Sequence, residues 1–329
     1  MSNRLSLRAP CNDDRFGIAF DPTLCSANHS CDPNTSYIFN QPETLLRAIR
    51  PIKKGDEVTM RYIDVTNPYS VRQDELQKKY YFTCHCPKCQ LGPTTDLDTF
   101  LKPPTALAEP FTTTADGLIT RHASILSTHL APGAETNSPA TRRLAALQAE
   151  AFATTSNPQA SEAEIKDALK LLLNSGFWPT HRQPVPQLLR QLLNYYLLTR
   201  QKYAAWRVAL KLHFSEPPGR RDDAERVIDL HTLAFFTNTL CQPDMAHIRQ
   251  ECMEAGLDLM VVFVGFLFEA RDLMPRTYGM ESPFGKVVGT LYEQVMARAP
   301  VEEAELRERV REVWPKLEVV AESVDVVNL

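Results

Sequence analysis

The sequence predicts an α+β chain of 329 residues, with a small β-rich segment closed by cysteines followed by an all-helical region. Three observations carry that expectation. Cys84, Cys86 and Cys89 fall within six residues, some fifty residues after the turn-forming stretch Asn28-His29-Ser30-Cys31-Asp32-Pro33-Asn34. Side-chain character alternates over residues 44–50 and 57–62. Beyond residue 160, apolar residues recur at helical spacing in several separate stretches.

Zinc prefers four tetrahedral ligands, and thiolates are the usual donors in a closed structural site. The cluster supplies three. Cys31 is the best fourth donor because the tight Asp32-Pro33 turn follows it, so the expected set is Cys31, Cys84, Cys86 and Cys89. Two alternatives stand beside it: reduced thiols acting as small hydrophobes, and His85 as a competing ligand. Three cysteines in six residues speak against the first, and the constrained place of His85 between two sulfur ligands speaks against the second.

Residues 44–50 and 57–62 flank Pro51 to Asp56, where Gly55 suits a positive φ, and read as a β-hairpin with Val58, Met60 and Tyr62 on one face. Taken alone, Tyr62 is a core aromatic with a satisfied hydroxyl. Leu76 and Tyr80 sit at helical spacing behind the start signals Asn67, Pro68 and Ser70, so a short helix over 70–80 delivers the chain to the cysteines. Residues 91–112, with Gly92-Pro93 and Pro103-Pro104, read as a linker, and 132–139 as a mobile loop. The capping box at Ser161 and Glu164 opens a helix with Ile165, Ala168, Leu169 and Leu172 on one face. Leu188, Leu189, Leu192, Leu193 and Tyr196 form a second stripe. Tyr203, Trp206, Leu210 and Phe214 form a third, stopped by Pro217-Pro218-Gly219. Leu306, Val310, Val313, Trp314 and Leu317 form the last, so at least four amphipathic helices must pack together.

Composition bounds the function. Residues 1–90 hold 12 basic against 10 acidic residues and the remainder 24 against 30, a balance that disfavours direct nucleic-acid binding. The most apolar run, 257–268, spans 12 residues and contains Asp258, too short for a membrane helix and suited to a buried core helix. Eight cysteines without a signal peptide point to a reducing compartment, cytoplasmic or nuclear, with Cys11, Cys25, Cys241 and Cys252 free. His122, His129, His181, His213, His231 and His247 lack metal spacing and read as surface or capping residues.

The motif Asn28 to Asn34, the run Arg47 to Val58, Tyr62-Ile63-Asp64, Arg72-Gln73 with Leu76, and Tyr80, Phe82, Cys84, Cys86 and Cys89 resemble, in order and spacing, a SET domain with its post-SET zinc segment. The likeness is to the SET and MYND family in its fungal-type form, and it covers about residues 3–90. It implies a partial β-rich SET fold over 1–66, a post-SET zinc segment over 67–90, a linker over 91–112 and a helical, tetratricopeptide-like domain over 113–329. No clean 34-residue repeat accompanies that last likeness.

The resemblance further implies methyl transfer from S-adenosylmethionine to a lysine of a protein substrate, histone or non-histone, by a chain expected to be monomeric. Tyr62 matches the family's catalytic tyrosine beside the transferred methyl, and Tyr80 matches one that walls the lysine channel. Asn28, His29 and Phe82, with Tyr62, match the cofactor contacts, and Asn3 matches an upstream cofactor asparagine. One structural zinc is implied. No Gly-x-Gly precedes Asn28 and no second cysteine and histidine cluster occurs, so the expectation is a chain holding the later part of the SET fold without a MYND module. It is either a truncated form or a catalytically inactive, zinc-stapled scaffold for protein–protein interaction.

Overall fold

The computed structural model describes residues 5–8, 15–19, 22–40, 43–94, 98, 139–175, 178–215 and 223–329. Its first part holds three two-stranded sheets. Strands β1 (Leu5–Arg8) and β2 (Arg15–Ala19) pair antiparallel, β3 (Asn28–His29) pairs parallel with β6 (Thr59–Met60), and β4 (Thr35–Asn40) pairs antiparallel with β5 (Glu43–Ala48).

The expected hairpin between 44–50 and 57–62 does not form. The strand over Glu43–Ala48 exists, but its partner precedes it, in register from Thr35↔Ala48 to Asn40↔Glu43. The stretch Thr35–Asn40 is rich in β-branched and aromatic residues and offers a six-residue ladder, which two residues at Thr59–Met60 cannot match. Gly55 does take a positive φ of 100°, in a loop rather than a hairpin turn. The Asn34 amide holds the end of that loop, accepting from the Thr59 N–H at 2.8 Å and donating to the Glu57 carbonyl at 2.8 Å. Met60 is buried while Val58 is exposed, so the expected shared apolar face is also broken.

Helix α1 (Tyr69–Tyr80) follows as its start signals require, and a one-turn helix α2 (Pro87–Gln90) carries Cys89, the last cysteine of the cluster. Nine further helices then appear among the described residues: α3 (Pro139–Thr155), α4 (Glu162–Asn174), α5 (Val185–Leu198), α6 (Lys202–Ser215), α7 (Asp223–Leu240), α8 (Ala246–Glu254), α9 (Leu259–Leu273), α10 (Pro283–Arg298) and α11 (Glu303–Ser323). Sequential neighbours pack from α3 through α7. The apolar α9 is the hub, lying against α7, α10 and α11, with Val262, Phe266 and Ala270 fully buried. The capping box closes as read, with the Ser161 N–H donating to Glu164 Oε2 at 2.8 Å and the Glu164 N–H to Ser161 Oγ at 3.3 Å. His213 is buried edge-on to Phe214 and Phe266, not a surface or capping residue. Of the linker over 91–112, residues 95–97 and 99–112 lie outside the described residues, as do 132–138 of the loop over 132–139, whose last residue Pro139 opens α3, and Pro217-Pro218-Gly219, Asn3, Cys11, His122 and His129.

Polar contacts seat the β-rich segment on the helices. Arg61 pairs with Glu225 of α7, Gln183 donates to Thr66 Oγ1 at 2.8 Å, Gln187 donates to Asp64 Oδ2 at 3.3 Å, and Arg47 donates to the Pro275 carbonyl at 3.0 Å.

Candidate active site and metal centre

Residues distant in sequence reach one place through short, pinned turns. Where β3 ends, the Ser30 N–H donates to the Met60 carbonyl at 3.0 Å and the Asp32 N–H to Ser30 Oγ at 3.0 Å. Arg50 clamps the same turn from outside, donating to the Asp32 carboxylate at 2.8 Å and carbonyl at 2.7 Å. Cys31 is thereby turned inward and buried. Its three partners come from the end of α1 and from α2. Tyr81 takes the left-handed conformation (φ 61°, ψ 34°) at the α1 C-terminus, which reverses the chain so that Phe82 returns toward β3. Cys86 caps α2 with Pro87 at its first position, and the Cys89 N–H donates to the Cys86 carbonyl at 2.9 Å.

The sulfur atoms of Cys31, Cys84, Cys86 and Cys89 all lie within 4.8 Å of one another, and those of Cys31 and Cys89 are 3.5 Å apart. Four thiolates bound at about 2.3 Å around a tetrahedral ion stand about 3.8 Å apart, so the set fits a metal ion. The thiols shift one another's protonation: contact with Cys84, Cys86 and Cys89 pushes Cys31 up, while contact with Cys31 pushes Cys84 down and draws Cys86 down to about 5. A cation among them relieves that competition. His85 is exposed and outside the cluster.

Two cations stand behind the sulfurs. Arg72 is fully buried, donates to the Asn67 carbonyl at 2.5 Å and points Nη2 at Cys89 Sγ from 4.0 Å. Burial pulls its guanidinium down, but the charges of Cys31 and Cys89 outweigh burial and hold it above its usual value. Lys88 donates to the Val65 carbonyl at 2.8 Å, and burial lowers its ammonium.

An aromatic group backs onto the cluster. Ring centroids lie 5.0 Å apart for Tyr62 and Tyr80, 5.3 Å for His29 and Tyr62, and 6.0 Å for His29 and Phe82, and all four side chains are half-buried. The Tyr62 hydroxyl donates to the Ala27 carbonyl at 2.6 Å, and the Tyr80 hydroxyl to the Tyr62 carbonyl at 3.2 Å. Asn28 is exposed at the rim and donates to Glu57 Oε1 at 2.6 Å. The His29 ring is engaged on both sides: Nδ1 accepts from the Tyr62 N–H at 3.0 Å and Nε2 lies 3.2 Å from Cys31 Sγ.

Residues 11–63 match the SET domain family. An 82-residue stretch is 45% identical to SET domain and MYND-type zinc finger protein 6 of Schizosaccharomyces pombe, covering 25% of this chain and 17% of that protein. Another 82-residue match is 42% identical to Histone-lysine N-methyltransferase SMYD3 of Homo sapiens, covering 24% and 19%. A 74-residue match is 39% identical to human N-lysine methyltransferase SMYD2, covering 22% and 17%. The chain carries a SET segment of the SET and MYND type. That segment spans under a fifth of the length of these relatives. Around it, sequence reasoning brought out the four cysteines and the aromatic residues but missed the structural roles of Asn34, Arg72, Gln73 and Lys88. In sequence, Arg72-Gln73 stands out only as part of a motif. Its signal was a charged and an amide side chain on the face of α1 that carries the buried Leu76.

Proposed function

We propose that this chain supplies the lysine-channel wall and part of the cofactor rim of an S-adenosylmethionine-dependent protein-lysine N-methyltransferase, locked by one structural zinc on Cys31, Cys84, Cys86 and Cys89. The carrying observation is that Tyr62, Tyr80, His29 and Phe82 converge directly on the four-sulfur cluster. S-adenosylmethionine, when bound, supplies an electrophilic methyl; exposed Asn28 and half-buried Phe82 offer an amide and an aromatic face that fit its polar and adenine parts.

The chain's own residues prepare the amine. Lysine has a pKa of about 10.4 in water and must lose its proton before it can attack. Tyr62 and Tyr80 present touching rings that exclude water, and desolvation against that aromatic wall favours the neutral amine. Both hydroxyls are anchored on backbone carbonyls, so their oxygens hold fixed positions from which to accept from the amine N–H. Asn28 and Phe82 would hold the cofactor, which would supply its methyl to the amine that Tyr62 and Tyr80 keep neutral. The helical region, read as tetratricopeptide-like, would receive the protein substrate, histone or otherwise, in a chain acting as a monomer in nucleus or cytoplasm.

Calorimetry of S-adenosylmethionine on the zinc-loaded chain tests the reading. We expect binding by the wild type and by Tyr62→Phe, loss in Phe82→Ala with Asn28→Ala, and loss of methyl transfer in Tyr62→Phe. No heat with the zinc-loaded wild type would overturn the enzyme reading in favour of the scaffold.

A further inference from the structure

The His29 ring reaches two partners that belong to different parts of the site. The Tyr62 N–H donates to Nδ1 at 3.0 Å, and Nε2 faces Cys31 Sγ at 3.2 Å. A backbone N–H is a donor only, so Nδ1 must be the bare acceptor, and a neutral imidazole then carries its single proton on Nε2. That proton points at the sulfur cluster, with Nε2 3.2 Å from Cys31 Sγ and the Cys84 sulfur also in reach of the ring. No ring nitrogen is left over for another ligand.

We infer that His29 is a positioning residue that couples the Cys31 thiolate to the backbone of Tyr62, not a polar contact to the cofactor. This rests on reading the cysteine cluster as a metal centre and Tyr62 as channel wall. Cys31 is two residues away and Tyr62 thirty-three, so the ring joins the end of β3 to the chain leaving β6, where the ladder is only two residues long. Tyr62 is then fixed twice from one short stretch, residues 27–29: its N–H by His29 and its hydroxyl by the carbonyl of Ala27, 2.6 Å away. The N–H to sulfur bond also withdraws charge from one of four thiolates, as outer partners of metal ligands do. Both effects run through one ring. Shifting Cys31 turns the imidazole, and turning the imidazole shifts Tyr62.

Two substitutions separate the halves. The Asn oxygen reaches the place of Nδ1 and can keep the Tyr62 bond, whereas the Gln nitrogen reaches the place of Nε2 and can keep the sulfur bond. The full chain is loaded with cobalt(II) in place of zinc, the thiolate-to-cobalt absorption band is recorded, and exchange of the Tyr62 amide is followed by NMR. We expect His29→Asn to move the band and leave amide exchange slow, and His29→Gln to keep the band and speed exchange by about tenfold. His29→Phe should change both. If His29→Phe leaves both readouts at wild-type values, or if the Asn and Gln variants move both together, the coupling is refuted. A wild-type chain that takes up cobalt without a thiolate band overturns the metal reading itself, and with it the sulfur half of the inference.

Discussion

The side-chain amide of Gln73 forms a closed two-bond pair with the backbone of Cys84: Nε2 donates to the Cys84 carbonyl at 2.9 Å, and the Cys84 N–H donates to Oε1 at 3.0 Å. Both partners are buried, so α1 dictates where the first ligand of the cluster sits. Gln73→Ala strands a buried donor and a buried acceptor, at about 1–3 kcal/mol each. We expect zinc affinity, read by competition with a chromophoric chelator, to fall about 10- to 100-fold. An unchanged affinity would show that Cys84 is placed without the amide.

The meeting of Cys31 with Cys84, Cys86 and Cys89 was legible because three thiols are adjacent in sequence and the fourth sits in a turn of strong local signals. The helices α4, α5, α6 and α11 were legible for a similar reason, since an apolar stripe at helical period survives tertiary context. Strand pairing was not. Alternation marked a strand over 44–50, and one runs over Glu43–Ala48, but which strand completes the ladder depends on relative length and on the Asn34 amide, neither of which shows in periodicity. The same holds for His29, where the family resemblance implies a cofactor contact and only the fold commits both nitrogens.

Arg72 offers a prediction about charge. A divalent ion with four thiolates carries two net negative charges, and burying that charge is costly without a counter-ion. Arg72 is fully buried with Nη2 directed at Cys89. Arg72→Met keeps the packing but removes the charge and the bond to the Asn67 carbonyl. Zinc should be extracted by chelator about 10- to 100-fold more readily, with Arg72→Lys intermediate because it restores charge without the fork. Equal extraction rates for Met and Lys would assign Arg72 to packing alone.

Gly265 lies where α9 closely approaches α11. A Cβ there would stand 2.4 Å from Trp314 Cζ3 and 3.0 Å from Val310 Cγ1. The better helix propensity of alanine offers about 1 kcal/mol, and the clash in a packed core costs about 1–3 kcal/mol. Gly265→Ala should therefore lower the thermal midpoint. Trp314→Leu in the same chain should recover part of the loss, since the two sites share one contact. Additive effects of the two changes would place the strain elsewhere.

His231 provides a pH dependence that is separable from the metal. Its ring meets Phe284 edge-on at 5.2 Å, and burial alone holds its imidazole below the ordinary value of 6.5. The unfolded chain therefore takes up a proton near pH 6.5 that the folded chain refuses until lower pH. The stability tied to the neutral ring is fully present above pH 6.5 and drains away as pH falls toward the folded value. Acid also protonates the thiolates, so the wild type alone cannot isolate this term; the comparison is with His231→Leu, which removes the proton site and leaves the cysteines untouched. Denaturant midpoints at pH 7.5 and 5.5 should fall more steeply for the wild type than for His231→Leu. Parallel slopes would show that the imidazole titrates alike in both states and that Phe284 packs against it without excluding its charge.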